Sequence, residues 1–280
     1  MMKNIFLCLC MLAALSTVQA QKVRVMTYNI RLDAASDGDN RWDARKALLS
    51  NQVLFYEPDF MGVQEALPQQ MKYLDSTLTA FNYIGTGRDD GKSKGEHSAI
   101  FYNKERFKLI EDRTFWLSET PDKPSLGWDA AYNRVCSYGL FEDTKTKQRL
   151  WVFNTHFDHV GKVARMESAK LILEKIKAVN SQKLPFVLTG DFNLTEDNES
   201  IKRIVAELDD SEKVAKLKHG PVGTWNGFDF SKPTKDRIDY IFVPKKGVRV
   251  TKYAVLSDNN NGRYLSDHLA VLADLIFEKQ

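Results

Sequence analysis

The chain reads as an α/β protein built on two packed β-sheets with helices outside them, and three observations predict that fold class. Short apolar runs rich in β-branched and aromatic residues recur between turn signals. Segments with helical periodicity follow individual strands and do not cluster at one end. From residue 21 onward no linker, low-complexity tract or internal repeat divides the chain. Residues 21–280 are therefore expected to form a single domain, a size at which two-sheet folds remain one unit.

The runs 23–30, 60–64, 98–102, 135–141, 150–154, 185–188, 238–243 and 269–277 are the predicted strands. In the first of them Val23, Val25 and Asn29 share one face by the period-2 rule, which sets an amide in line with core residues. Helices are predicted over 42–55, 69–78, 163–179 and 200–208 from their apolar periodicity. The polar stretches 85–96, 118–133 and 257–266 are long for simple connections and are the candidate substrate loops. Gly85, Gly87 and Gly91 in the first stretch miss the dinucleotide-binding spacing, which argues against a nucleotide cradle there.

Lys3, the apolar stretch 5–15 and Val18-Gln19-Ala20 ahead of Gln21 have the three-part layout of a secretory signal peptide. Residues 1–20 are expected to be removed and the product exported, to the periplasm or outside the cell. The apolar run is shorter than the roughly 20 residues that span a bilayer. Cys8 and Cys10 lack the small upstream residues of a lipoprotein cleavage site, so no stable membrane anchor is expected. Of the three cysteines only Cys136 would survive processing, which leaves no internal disulfide and one thiol expected to be buried in a strand. The net charge is +3, and loss of Lys3 lowers it to +2, too balanced to announce a polyanion partner. A monomer is expected.

Polar or ionisable residues stand at the ends of six of these runs, and strand ends with the loops beyond them are where sites assemble. Thr27-Tyr28-Asn29-Ile30 ends in an amide that needs polar partners, although alone it reads as a turn residue. Gly62-Val63-Gln64-Glu65 ends in a carboxylate ahead of a helix, where an acid also suits a helix start. In Asn154-Thr155-His156-Phe157-Asp158, His156 and Asp158 share parity and would face one cavity if the strand continued that far. Thr189-Gly190-Asp191-Phe192-Asn193 delivers Asp191 and Asn193 together at a sheet edge. Asp239 stands among apolar neighbours in Arg237-Ile238-Asp239-Tyr240-Ile241-Phe242, and a buried acid needs a partner. Ser266-Asp267-His268-Leu269 offers that partner, since pairing with Asp239 would raise the basicity of His268 and fix its tautomer.

These six motifs in this order resemble the signature set of the endonuclease/exonuclease/phosphatase superfamily, and the resemblance runs from Val23 to Phe277. Gly95-Glu96-His97-Ser98-Ala99-Ile100-Phe101-Tyr102 is similar to that family's mid-chain strand, and Gly223-Thr224-Trp225-Asn226-Gly227-Phe228 to its pre-strand loop. The resemblance implies a four-layer αββα sandwich of the DNase I-like kind, with two mixed sheets flanked by helices and the site at one end of them. It implies that Glu65 and Asn29, assisted by Asp267, bind a divalent cation or the group beside it. Oxygen ligands favour magnesium or manganese, with calcium also admitted, over zinc. His268 would be the general base acting on water and Asp239 the acid that orients it. Asp191 and Asn193 would position the water and the phosphate, and His156 would stabilise charge growing on the phosphoryl oxygens.

The expected activity is metal-dependent cleavage of a P–O bond by in-line attack of water, and the first expectation is a secreted phosphodiesterase or nuclease. A phosphomonoesterase on inositol or sugar phosphates, a sphingomyelinase-like lipid phosphodiesterase and a catalytically inert binding protein are the alternatives, because one core serves several substrates. Arg134, Asp158, Trp225 and Phe228 are candidate substrate contacts, as are Arg88 and Lys92 for a second phosphate. Trp225 and Phe228, with Trp128 and Tyr132, lie where they could stack on a base, so nucleic acid remains a candidate partner.

Overall fold

The computed structural model describes residues 21–278, so the signal-peptide expectation for residues 1–20 lies outside the described residues. In chain order the first strands are β1 (Gln21–Asn29), β2 (Phe60–Gln64), β3 (Phe81–Ile84), β4 (Ile100–Asn103), β5 (Phe107–Trp116), β6 (Val135–Asp143), β7 (Arg149–His156) and β8 (Phe186–Asp191). They are followed by β9 (Leu208–Asp210), β10 (Leu217–His219), β11 (Asp239–Pro244), β12 (Val248–Leu256), β13 (Asn259–Asn260), β14 (Arg263–Tyr264) and β15 (Ala270–Phe277). The helices are α1 (Trp42–Tyr56), α2 (Pro68–Thr77), α3 (Lys162–Val179), α4 (Glu199–Glu207) and the short α5 (Ser211–Val214). A seven-stranded sheet runs β10-β12-β15-β1-β2-β4-β3 and a six-stranded sheet runs β5-β6-β7-β8-β11-β9. Both are mixed: β1 pairs parallel with β2 and antiparallel with β15, while β8 pairs parallel with β7 and antiparallel with β11.

Three apolar layers hold this αββα sandwich together. Val23 and Val25 of β1 and Phe60 of β2 pack between the sheets against Phe141, Val152, Val187 and Ile241. On the outer face of the first sheet Met26, Tyr28 and Val63 meet Trp42, Leu49 and Val53 of α1 and Leu74 of α2. On the outer face of the second, Phe153, Leu188 and Phe242 meet Ile172 and Ile176 of α3 and Ile201 and Ile204 of α4. Each fully buried side chain of this size contributes about 1.5–3 kcal/mol. A one-residue slip of β1 would exchange its two faces and carry Asn29 into the helix layer, so burial along the strand fixes the position of its terminal amide.

Beneath the site the sheets are joined by a polar knot. Asn154 of β7 donates to the carbonyls of Val63 and Ala99, both at 2.9 Å. Its Oδ1 accepts from Gln64 (2.7 Å) and Thr189 (3.0 Å), and Gln64 also donates to Thr27 at 3.0 Å. Asn154, Gln64, Thr27 and Thr189 are all fully buried. Gly62 makes room for the knot, since a Cβ there would lie 2.4 Å from Asn154 Oδ1 and Thr189 Oγ1.

The predicted strands and helices all form, with ends shifted by at most three residues, the largest shift being the extension of the 185–188 run to Asp191. The predicted helix 69–78 begins at Pro68, whose fixed φ suits a first turn. Unpredicted strands lie at the margins or break alternation: the middle of β5 is largely exposed, and β12 carries a bulge between Val250 and Lys252. Cys136 is free and buried in β6, as expected. Among the described residues no helix is long and apolar enough to cross a membrane.

Candidate active site

Sheet register brings the motif residues together. In the second sheet His156 of β7 lies beside Asp191 of β8, which lies opposite Asp239 of β11, so three adjacent strands present one row of ionisable groups. In the first sheet Asn29 pairs with Gln64, the residue before Glu65. The amide of Asn29 then crosses between the sheets, donating to Glu65 Oε1 (3.0 Å) and Asp191 Oδ2 (2.9 Å), while its oxygen accepts from the backbone of Arg31 at 3.0 Å. Asn29 thus bridges two carboxylates. Glu65 has a left-handed backbone, φ 63°, unusual for a residue with a side chain, and its second oxygen accepts from Leu32 N at 3.0 Å.

The acidic half of the site surrounds one histidine. His268 Nδ1 donates to Asp239 Oδ2 at 2.9 Å, which leaves Nε2 facing Asp191 Oδ2 at 3.8 Å. Burial disfavours the imidazolium, yet the charges of Asp239, Asp191 and Asp267 outweigh it and hold the His268 pKa well above the ordinary value. Burial, reinforced by the charge of Asp239, pushes Asp191 up to about 7. Arg31 sits between the two remaining acids, 3.9 Å from Glu65 and 3.8 Å from Asp267. Its principal partner is Asp37, engaged at 2.9 and 3.0 Å. Arg45 of α1 supports this corner from below by donating to the carbonyls of Ile30, Arg31 and Leu265.

The opposite wall is cationic. Arg134, buried ahead of β6, donates to Nδ1 of His156 (3.0 Å) and of His159 (3.1 Å) and pairs with Asp158 at 3.3 Å. Because arginine can only donate, His156 Nδ1 is the acceptor and the ring's proton sits on Nε2, 3.4 Å from Asp191. Burial, with the Arg134 and Arg88 charges adding, keeps the His156 pKa well below the ordinary value and the ring neutral. Asn193, left-handed at φ 52°, has its side-chain nitrogen 3.0 Å from His156 Nε2 and donates its backbone N–H to Asp191 Oδ1 at 2.8 Å. Arg88 pairs with Glu96 at 2.6 Å and lies over the Tyr132 ring.

These walls enclose a cavity of about 250 Å³ lined by residues that include Glu65, Arg134, His156, Asn193, Trp225 and His268. Of the candidate substrate contacts, Arg134, Tyr132 and Trp225 line it, whereas Arg88, Lys92, Trp128, Asp158 and Phe228 do not. Asp158 turns away because β7 ends at His156 and the following loop folds back, with Asp158 accepting from the backbone of Val160 and Gly161. Phe228 lies outside the lining, its ring beneath the Arg45 guanidinium at 5.7 Å. Arg31 and Glu96 line the cavity without having been singled out. Their signal was adjacency, Arg31 to the Asn29 motif and Glu96 within the mid-chain match.

The donor set fits a divalent cation. Ligand atoms of Glu65, His156 and Asp191 lie within 4.8 Å of one another, as do those of Asp191, Asp239 and His268. The second group holds the His268–Asp239 pair and both nitrogens of His156 are taken, so Glu65 and Asp191 of the first group, with Asp267 nearby, make the better cation site. Four buried or nearly buried carboxylates share this end of the sheets, and Asp239 Oδ1 lacks a hydrogen-bond partner. Such an excess of buried negative charge is what a bound cation relieves.

Comparison with known proteins agrees with this geometry. The sequence model of the Endonuclease/Exonuclease/phosphatase family matches residues 26–268. A Bacteroides thetaiotaomicron protein described as an endonuclease/exonuclease/phosphatase family protein superposes with a TM-score of 0.90 at 40% identity, over 93% of this chain and 100% of the other. A mannosyl-6-phosphatase from Bacteroides thetaiotaomicron gives 0.88 at 41% identity, over 91% and 100%. Nocturnin of Rattus norvegicus is 24% identical over 92% of this chain and 66% of its own length. The chain belongs to the endonuclease/exonuclease/phosphatase family and is a phosphoester hydrolase.

Proposed function

We propose that the protein is an exported, divalent-metal-dependent phosphomonoesterase that removes phosphate from a phosphorylated sugar. The cavity carries this choice: at about 250 Å³ it suits one phosphate and one sugar ring. Pockets for drug-sized ligands run larger, roughly 300–1,000 Å³. The wall of Arg134, His156 and His159 suits the terminal dianion that a monoester presents and a diester lacks. Kinship at 41% identity with a protein described as a mannosyl-6-phosphatase supports the same substrate class, and the layout of residues 1–20 supports export.

Glu65, Asp191 and Asp267 would hold magnesium or manganese, with calcium also suited to oxygen ligands. Once bound, the cation supplies neutralising charge, both to the phosphoryl oxygens and against the carboxylate field that keeps His268 protonated. Neutral His268 takes a proton from water at Nε2 while Nδ1 keeps its bond to Asp239 and holds the ring in place. Asp191, fixed by Asn29 and the backbone of Asn193, orients that water. Neutral His156, backed by Arg134, and the Asn193 amide donate to phosphoryl oxygens as charge grows on them. The water oxygen ends on phosphorus as the bond from phosphorus to the sugar oxygen breaks, and the sugar oxygen leaves as a hydroxyl by taking a proton from solvent, while His268 later returns its own to solvent.

The test is hydrolysis by the mature chain, with magnesium or manganese and with chelator, read as phosphate release from hexose and inositol phosphates and as cleavage products from bis(p-nitrophenyl) phosphate, sphingomyelin, DNA and RNA. Chelator-sensitive release confined to sugar monoesters is expected. Cleavage of diesters with no monoester turnover overturns the assignment and restores the diesterase expectation.

A further inference from the structure

Trp225 borders more than the catalytic cavity. Its indole, 45% exposed, also lines a second cavity of about 530 Å³ bounded by Asn226, Asp229, Lys232, Lys235 and Asp236. Lys235 in turn lines a third, of about 650 Å³, reaching Glu196, Lys218 and Tyr253. One lining residue is shared at each junction, Trp225 and then Lys235, so the three spaces lie in a series that starts at the catalytic residues.

The Trp225 wall is tied to the machinery. Trp225 forms an isolated bridge with His268, Asn226 N and Gly227 N donate to the Asp267 carbonyl at 2.8 and 3.1 Å, and Leu269 N donates to the Thr224 carbonyl at 2.7 Å. The loop carrying the indole is thus fixed to the segment that carries the catalytic base. Gly227, left-handed at φ 58°, lies under the ring, where a Cβ would come within 3.0 Å of it. The ring is therefore a positioned surface.

The chemistry beyond Trp225 selects a ligand class. Lys232 and Lys235 are matched by Asp229 and Asp236, so the second cavity has no net charge, and Lys232 pairs with Asp229 at 2.8 Å. A strand of nucleic acid requires a positive groove that tracks successive phosphates. Alternating carboxylates, ammonium groups and an amide beside a half-exposed indole match the hydroxyls and the apolar ring face of an uncharged sugar.

We propose that the preferred substrate is a phosphorylated oligosaccharide, with its phosphorylated sugar in the catalytic cavity and the adjoining, uncharged sugar stacked on Trp225 in the second. This rests on the sugar monoesterase reading above. The experiment measures kcat/KM for a hexose 6-phosphate and for the same phosphosugar extended by one and by two neutral sugars. It uses the wild type, Trp225→Ala and Trp225→Phe. The wild type is expected to favour the extended substrates by about tenfold, the scale of one good aromatic contact. Trp225→Ala should reduce that ratio to about one, and Trp225→Phe should retain most of it. Equal wild-type turnover at all lengths overturns the proposal while leaving the monoesterase reading intact, as does an unchanged ratio in Trp225→Ala. Absence of turnover on every sugar phosphate overturns both.

Discussion

The two walls of the catalytic cavity are built differently. The acidic wall, with Asn29, Glu65, Asp191, Asp239 and His268, stands on or directly beside strand ends, and sheet register sets its spacing. Apart from His156, which closes β7, the cationic wall draws on loops: Arg88, Glu96, Tyr132 and His159 lie between elements and are held by pairing with one another and with Arg134. A wall set by register keeps its geometry through loop changes, whereas a wall set by side-chain pairing is open to revision. The first suits the step common to a family and the second suits the choice of substrate.

Substitutions should separate the two walls. His268→Ala, measured by phosphate release at saturating metal, is expected to lower kcat by roughly 10²–10⁴-fold, the usual contribution of a positioned acid–base group. Asp239→Asn should fall in the same range, and a loss below tenfold for both would show that base catalysis lies elsewhere. Chelation should abolish turnover, and magnesium or manganese should restore it. On the other wall Arg134→Ala is expected to act mainly through KM. It also leaves Asp158 without its cation, a loss of about 1.5–3 kcal/mol in denaturant unfolding. A drop in kcat alone, with KM unchanged, would move Arg134 out of substrate binding.

Smaller effects sharpen the contrast. Burial opposes ionisation of Asp158, but donors from Gly161, Ala131 and Val160 and the Arg134 charge hold its pKa down to about 2. The folded value lies below the unfolded value of about 3.9. Its stabilising contribution is therefore fully present above about pH 4 and lost as pH falls toward 2. Acid titration of unfolding free energy should show this limb in the wild type and lose it in Asp158→Asn. Phe228→Leu should leave kcat/KM within twofold and cost about 0.5–1 kcal/mol of stability through its contact with Arg45. A larger activity loss would place Phe228 at the substrate after all.

The same division explains what the sequence disclosed. Strand-end residues are legible because an amide or acid at the end of an apolar run breaks the period-2 pattern, as Asn29 and Asp239 do. Partners across the sheets, such as Asn29 with Asp191, follow from register that no local pattern reveals. Parity places Asp158 beside His156 only while a strand continues, and β7 stops at His156, which leaves Asp158 off the cavity lining. The place of Phe228 in a loop says nothing of which way the ring turns, and the ring lies by Arg45, off the cavity lining. Arg31 gave no signal of its own, since an arginine after a strand is ordinary and only the convergence of Glu65 and Asp267 makes it part of the cavity. The strand β5 escaped notice because its exposed middle, Glu111-Asp112-Arg113, reads as solvent-facing loop.

The buried knot around Asn154 has a consequence for how such a protein can change. It ties the sheets together through fully buried polar groups, so sliding one sheet over the other would strand several polar atoms at once. Loops above it can lengthen, shorten or exchange residues without disturbing the spacing of the strands that carry them. New specificities can thus be trialled at the mouth on an unchanging foundation, and a graft of the 85–96 or 118–133 loop from a relative is expected to arrive in register with the catalytic row.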